Sequence, residues 1–374
     1  MSERPTVQGI LRRHLDEYLA EHPLDARRRA VCQHLIDCHT AVMGGYRLHC
    51  DHCAHTRLHY FGCRDRHCPG CQYHASEHWQ ARQQRQALPV TYFHLVFTLP
   101  DTLNGWVVLH PEVIYRLLFQ AAWATLQAFG GNPRRLGGQL GMTAILHTWG
   151  QNLSRHPHLH CLVPGGALAA DGSWHPAKGQ YLFPVRALSR GFRGRMVSAL
   201  REAHAAGQLP RITDTGEPQS TLDALMQQEW VVYCRPGMRD PEQVIRYLAR
   251  YTHRTAISNH RLIETENGQV TFRYKDYRDE RQKTLTLSAC EFIRRFVQHI
   301  LPKGLMRIRH YGFLANACRK KRLAQIREAL KVLEAMAPEP AEPAVFAGYP
   351  CPQCHAGHLR IVGTCPPHRW EGGG

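Results

Sequence analysis

The chain has 374 residues, 43% of them hydrophobic, with 47 Lys and Arg against 30 Asp and Glu for a net charge of +17. That length suits two or three domains, the apolar fraction is that of a globular protein, and there is no run of about 18 apolar residues to span a membrane. The opening MSERPTVQGILRRHLDEYL has no apolar signal core, so secretion is not expected, and the cationic excess points to a polyanionic partner, most simply nucleic acid.

Fourteen cysteines without a secretory signal argue for metal binding over disulfides. Seven fall in the first 71 residues and three in the last 24. Cys161, Cys234, Cys290 and Cys318 stand singly and read as small buried hydrophobes.

Ile10, Leu11, His14, Leu15, Tyr18 and Leu19 follow helical spacing, and a second helical run covers Ala30 to Met43 before Gly44-Gly45. Cys50-x2-Cys53 and Cys68-x2-Cys71 follow, with fourteen residues between the pairs. That spacing predicts one zinc ribbon with four thiolate ligands, whose small core gains its fold from Zn2+. Cys32, Cys38, Cys63 and His67 are left over, for a second site, for burial or for support of the first. Arg47, Arg57, Arg64 and Arg66 surround the knuckles, which suits a grip on nucleic acid.

A polar helix over 75–88 leads to a buried strand at Tyr92–Leu99, closed by Pro100. Residues 110–128 read as an amphipathic helix, and Gly141–Thr148 as another strand. It returns through Gly150-Gln151-Asn152 as the strand His158–Val163, an antiparallel hairpin with a longer loop. A strand and turn (Trp174–Phe183), a basic helix (Arg186–Ala206) and a strand (Glu229–Cys234) come next. Pro241 opens the helix PEQVIRYLARYTHR with Pro in its first turn. A strand pair at Ala256–Ile263 and Val270–Tyr274 around Glu266-Asn267-Gly268, a helix at Cys290–Ile300 and a basic helix at Asn316–Met336 complete the middle. APEPAEPAVFAGYP (337–350) is a Pro-rich linker. Beyond it, Cys351-x2-Cys354-x10-Cys365-x2-His368 predicts a small zinc hook, in which His355 or His358 can replace a ligand.

On a strand, side chains alternate, so His158 and His160 share a face while Leu159 turns to the core. Two imidazoles on a rigid element offer half of a metal site. On a helix, Tyr247 and Tyr251 lie one turn apart on one face, an arrangement that by itself is more often a core stripe or an aromatic pair.

His158-Leu159-His160 resembles the HUH motif, and Tyr247-x3-Tyr251 resembles the paired nucleophiles of two-tyrosine HUH endonucleases. FHLVFTLP (93–100), HTWGQNLSRHPHLHCLVPGG (147–166), YLARYTHRTAISNHRL (247–262) and IRHYGFLAN (308–316) look like transposases of the insertion sequence 91 family. CRDRHCPGCQ (63–72) looks like the N-terminal zinc-binding domain of that family.

The resemblance implies an α+β fold, an antiparallel sheet with flanking helices of the HUH endonuclease, RNA-recognition-like type. It would occupy 89–336, after a helical and zinc-binding domain at 1–88 and before the C-terminal zinc module at 351–374. It implies a DNA transposase that nicks and joins single-stranded DNA at element ends, through 5′-phosphotyrosines on Tyr247 and Tyr251. His158 and His160 would hold Mg2+ or Mn2+. Gln151, His253, His147 and His94 are candidates for a third ligand, with Gln151 and His253 favoured. Arg246, Arg250 and Arg254 would touch phosphates beside Arg64 and Arg66. Partners would be the element ends and target as single strands, with host replication or helicase factors, since no P-loop is present. The place of action would be the bacterial cytoplasm, on the nucleoid when bound to DNA. The alternatives are a plasmid or phage rolling-circle replication initiator and a non-catalytic zinc-dependent DNA-binding regulator.

Overall fold

The computed structural model describes residues 4–72, 77, 79, 83–84, 86–212, 216–238, 240, 255–276, 279–332 and 348–368. The expected tyrosine helix after Pro241 and most of the Pro-rich linker lie outside them. Among the described residues, no helix is long and apolar enough to cross a membrane.

The first helix, α1 (Val7–Glu21), is capped by Thr6, whose hydroxyl accepts from Gly9 N–H; α2 (Ala26–Asp37) is capped the same way by Asp25. Strands β1 (Gly45–Cys50) and β2 (Thr56–Tyr60) form a hairpin around the first CxxC. Then come β3 (Tyr92–Thr98), α3 (Asn104–Leu109) and α4 (Pro111–Gly130), the last with its proline in the first turn. The long hairpin is β4 (Gly141–Trp149) and β5 (Arg155–Pro164), followed by the short pair β6 (Gly166–Leu168) and β7 (Trp174–Pro176). Helices α5 (Val185–Ala205) and α6 (Glu217–Gln227) precede β8 (Val232–Cys234). After these come β9 (Leu262–Glu266), β10 (Gln269–Lys275), β11 (Gln282–Ser288) and α7 (Ala289–Val297). The chain closes with β12 (Ile308–Gly312), α8 (Arg319–Ala329), β13 (Tyr349–Pro350) and β14 (His358–Cys365).

The fold is mixed α and β with antiparallel sheets, and most expected elements stand where periodicity put them. The strand expected from Ala256 starts at Leu262, because Asn259–Arg261 turns as a 3-10 segment. Asn267 and Gly268, at φ 49° and 71°, make the two-residue turn that suits a twisted hairpin. Strands β11 and β12 were not foreseen. QKTLTLS and IRHYG carry polar residues between their apolar ones, and both strands lie at sheet edges.

The chain divides into two compact units, one of 76–252 and 301–335, the other of 1–75, 253–300 and 336–374. In the first, five strands run in the order β12-β4-β5-β3-β8, every neighbouring pair antiparallel. Register sorts the side chains. Phe93, Leu95 and Phe97 stand opposite Val163, Cys161 and Leu159, and Leu146 also faces Leu159. These residues form one core with Leu118 and Phe119 of α4 and Phe192 and Met196 of α5. The other sheet face therefore carries His94, His147, His158 and His160.

In the second unit, β11-β10-β9 form a meander whose Phe272 packs edge-on to Phe292 of α7 at 6.0 Å. A four-stranded sheet has the order β13-β14-β1-β2. The C-terminal segment, expected as a separate hook, instead supplies the strand that pairs with β1, Cys50 opposite Leu359 and Gly45 opposite Cys365.

Gly312 sits at φ +59°, where an added Cβ would lie 1.7 Å from the carbonyl oxygen of Leu140. Gly312→Ala is expected to destabilise the first unit by about 1–3 kcal/mol. Denaturant melts check this against Gly105→Ala, whose Cβ meets nothing within 4 Å.

Candidate metal centres

His158 and His160 sit two apart on β5, and register brings a third imidazole to them. His147 of β4 stands directly opposite His158, and Ile145 opposite His160. One ring nitrogen from each of His147, His158 and His160 lies within 4.8 Å of the others. His147 and His160 are buried, at 2% and 7% exposure, and His158 is half-buried. The register of the β4–β5 ladder shifts between His147 and Trp149. Pro157, which has no N–H to donate, falls in the irregular stretch of β5.

The hydrogen bonds set which nitrogens meet. His158 Nδ1–H donates to the carbonyl of His156 at 2.6 Å. His160 Nδ1 lies 2.9 Å from Nε2 of His94. Burial, then the charge of Arg235, depresses His94 to about 4, so at neutral pH it is uncharged and shares one proton with His160 across this contact. The Nε2 atoms of His158 and His160 stand 3.2 Å apart, a spacing that two nitrogen ligands of one metal ion would take. His147 stacks on Trp149 at 4.6 Å, which fixes its ring.

The third imidazole is thus His147, which the sequence offered without favouring. Gln151 lies in the turn between β4 and β5. His253, Tyr247, Tyr251, Arg246, Arg250 and Arg254 lie outside the described residues.

The cysteines form two groups, and neither is the expected ribbon. Cys38, Cys63, Cys68 and Cys71 make one. Cys38 Sγ stands 3.6 Å from both Cys68 Sγ and Cys71 Sγ, and Cys63 Sγ 3.8 Å from Cys71 Sγ. Cys50, Cys53, Cys351 and Cys354 make the other, with Cys50–Cys354 at 3.8 Å and Cys53–Cys351 at 3.7 Å. Four sulfurs about 2.3 Å from a central zinc stand about 3.8 Å apart, so both groups fit zinc; a disulfide would need about 2.05 Å.

The regrouping follows from the β1–β2 hairpin. Cys50 and Cys53 are at its tip, while Tyr60 pairs with Gly45 at its base. Cys63, Cys68 and Cys71 follow the base, where Cys38 also lies, a strand length of about 17 Å from the tip. The tip is completed by the second CxxC, brought back by β14. Cys365 pairs with Gly45 at the base end and His368 donates its backbone N–H to Ala41, so neither joins Cys351 and Cys354.

Each group has thiolate support. Cys63 and Arg64 donate backbone N–H groups to the sulfurs of Cys38 and Cys71 at 3.4 and 3.3 Å. Backbone N–H groups of Gly357 and then Ala356 bring Cys354 down to about 6. Cys32 is different: burial pushes it up to about 12, a structural thiol. His67 is also no ligand. Its Nδ1 lies 2.8 Å from Asp65. Burial raises the pKa of Asp65, but hydrogen bonds from His67 and then His34 outweigh it and hold the carboxyl below its usual range. Arg64 is exposed. Arg66 is half-buried, and burial and then nearby Arg27 lower its pKa.

Comparison with known proteins places this arrangement. Residues 10–99 match the family described as "Transposase zinc-binding domain" and residues 141–322 the family described as "Putative transposase". The chain is 41% identical to "Putative transposase y4qJ" of Sinorhizobium fredii, over 98% of each chain. The chain belongs to the insertion sequence 91 family of transposases. It is also 29% identical to "Transposase for insertion sequence element IS801" of Pseudomonas savastanoi pv. phaseolicola, over 80% of this chain and 73% of that one. No solved structure matches. The zinc-binding match of this transposase takes in Cys38 to Cys71 but stops far short of Cys351, so the second cysteine group reaches beyond it.

Elemental analysis of the purified transposase is expected to find two zinc ions per chain. Cys63→Ser and Cys354→Ser should each remove one, whereas Cys365→Ser should remove none; a single ion lost on Cys365→Ser would restore the hook.

Elsewhere on the histidine face, burial and then Arg319 hold His310 down to about 4. The unfolded chain takes up that proton near pH 6.5, so this group's stabilisation is full above about 6.5 and is lost as pH falls toward about 4. Denaturant melts over that window should show a shallower acid loss in His310→Gln than in the parent.

Proposed function

We propose that this transposase cuts and rejoins single-stranded DNA at a metal-bound phosphate, with Tyr247 and Tyr251 as nucleophiles. The observation that carries the reading is the gathering of His147, His158 and His160 on one sheet face within 4.8 Å. An antiparallel sheet with helices over one face and histidines on the other supports an HUH-type fold. Three imidazoles suit Mn2+ better than Mg2+, which prefers oxygen ligands. A divalent cation there draws charge from the scissile phosphate, lowering the barrier to an anionic nucleophile.

The residues supply the rest. A phenol with a pKa of about 10 must lose its proton to attack. The phenolate oxygen forms a bond to phosphorus while the bond to the 3′ oxygen breaks, leaving a 5′-phosphotyrosine and a 3′-hydroxyl. The phosphoester energy is kept, so a 3′-hydroxyl can reverse the step on a new strand without ATP. Two tyrosines let one end be held while another is cut. Phosphates are gripped by Arg64, Arg66, Arg246, Arg250 and Arg254. Single-stranded element ends and target are the substrates, host helicase or replication factors expose them, and the bacterial cytoplasm is the setting.

Incubation of the protein with labelled single-stranded element ends and Mn2+ is expected to give a covalent protein–DNA adduct. Tyr247→Phe and Tyr251→Phe together should abolish it. His147→Ala should weaken Mn2+ binding at least on the order of 10–100-fold, the loss usual for even an outer-shell partner. No adduct with any divalent metal would refute the nuclease and leave a DNA-binding regulator.

A further inference from the structure

The edge strand β8 adds a second feature to the histidine face. It pairs with β3 at Leu95–Cys234, Val96–Tyr233 and Phe97–Val232. Val232 and Cys234 are buried in the core shared with α4 and α5, so alternation turns Tyr233 to the other side of the sheet. Val96, which faces Tyr233, also stands opposite His160 on β5. Tyr233, Val96 and His160 therefore form one row across three strands. Neighbouring strands lie about 4.8 Å apart, which puts the backbone of Tyr233 about 10 Å from that of His160.

The ladder holds one residue beyond each end of β8. Thr98 donates its backbone N–H to the carbonyl of Val231 at 3.1 Å, and Arg235 donates its own to the carbonyl of His94 at 2.9 Å. Val231 and Arg235 thus belong to the same face as Tyr233. Tyr233 is 53% exposed and Val231 65%, and Arg235 is exposed too. After burial, it is the charge of Arg235 that depresses His94, so the guanidinium lies near the imidazoles. The solvated face of an antiparallel strand is ordinarily polar. Here it offers an aromatic ring and an isopropyl group to water, with a cation at one end.

A matching occupant has flat apolar surfaces and negative charge along its length. An unpaired stretch of DNA has both, and the net charge of +17 favours it. In a duplex the base faces are already covered by their neighbours. We propose that Tyr233 is a stacking platform for one base of the single-stranded DNA held at the histidines, with Val231 extending its apolar edge and Arg235 meeting a neighbouring phosphate. The separation from His160 is about three nucleotides at the stacked rise of about 3.4 Å, so the base belongs to the strand whose phosphate sits at the imidazoles. Every base has a π face, so the platform grips and orients the strand without selecting its sequence. The inference rests on the single-strand reading above, and its test does not require cleavage.

Fluorescence anisotropy with the full-length, zinc-loaded protein and no added Mg2+ or Mn2+ would measure binding of a labelled dT oligomer and of a duplex of the same length. Tyr233→Ala is expected to weaken dT binding about tenfold, the usual worth of one base–aromatic contact, and duplex binding less than about twofold. Tyr233→Trp keeps a ring face and should hold dT binding within about threefold of the parent. Tyr233→Leu, apolar but without a π face, should lose as much as Tyr233→Ala. Unchanged dT binding in Tyr233→Ala would overturn the proposal and leave the patch to a protein partner. A loss shared equally by the duplex, or a Tyr233→Leu variant that binds dT like the parent, would also overturn it. A ring-dependent grip on dT with no covalent adduct under any divalent metal would keep the platform and remove the nuclease; an adduct with dT binding indifferent to Tyr233 would do the reverse.

Discussion

The antiparallel register of β4 against β5 is the constraint on which the histidine centre depends. It sets His147 opposite His158 and leaves His160 one step on, with Ile145 across from it. Strand side chains alternate, so a slip of one residue would send all three imidazoles into the helix-packed core. The opposite face prevents the slip. Leu146, Leu159, Phe97 and Cys161 are fully buried in one core with α4 and α5, and they occupy the alternate positions of the same strands. Hydrophobic packing on one side of the sheet therefore holds the three imidazoles together on the other.

Zinc solves a different problem in the second unit. Strands β1 and β2 are short, and most of β2 is exposed, so their own core is small. Among the described residues, the buried cluster around Cys50 and Cys351 adds only Leu48 and Leu359. Two CxxC turns, each followed by a residue at positive φ, Ala54 at 58° and His355 at 55°, face each other across the hairpin tip. Four thiolates around one cation supply there what apolar area does not. A zinc ion held there would join segments 298 residues apart along the chain, and β14 pairs with β1, so the C-terminal strand is part of the module that begins near the N-terminus.

Much of this was legible in the residues alone. Period-two alternation put His158 and His160 on one face, and CxxC spacing pointed to thiolate sites. Motif order established the family. Helices α4 and α5 and strands β3 to β5 followed from apolar periodicity, because local pattern and burial agree there. The partners of each motif were not legible. Which cysteines share a zinc depends on the length of the β1–β2 hairpin and on the return of β14. Likewise, His147 rather than Gln151 stands with the pair because of a cross-strand register that no local spacing encodes. Sequence determined which residues can bind; the three-dimensional pairing of distant strands decided which of them bind together, since a metal selects ligands by distance in space and not by separation along the chain.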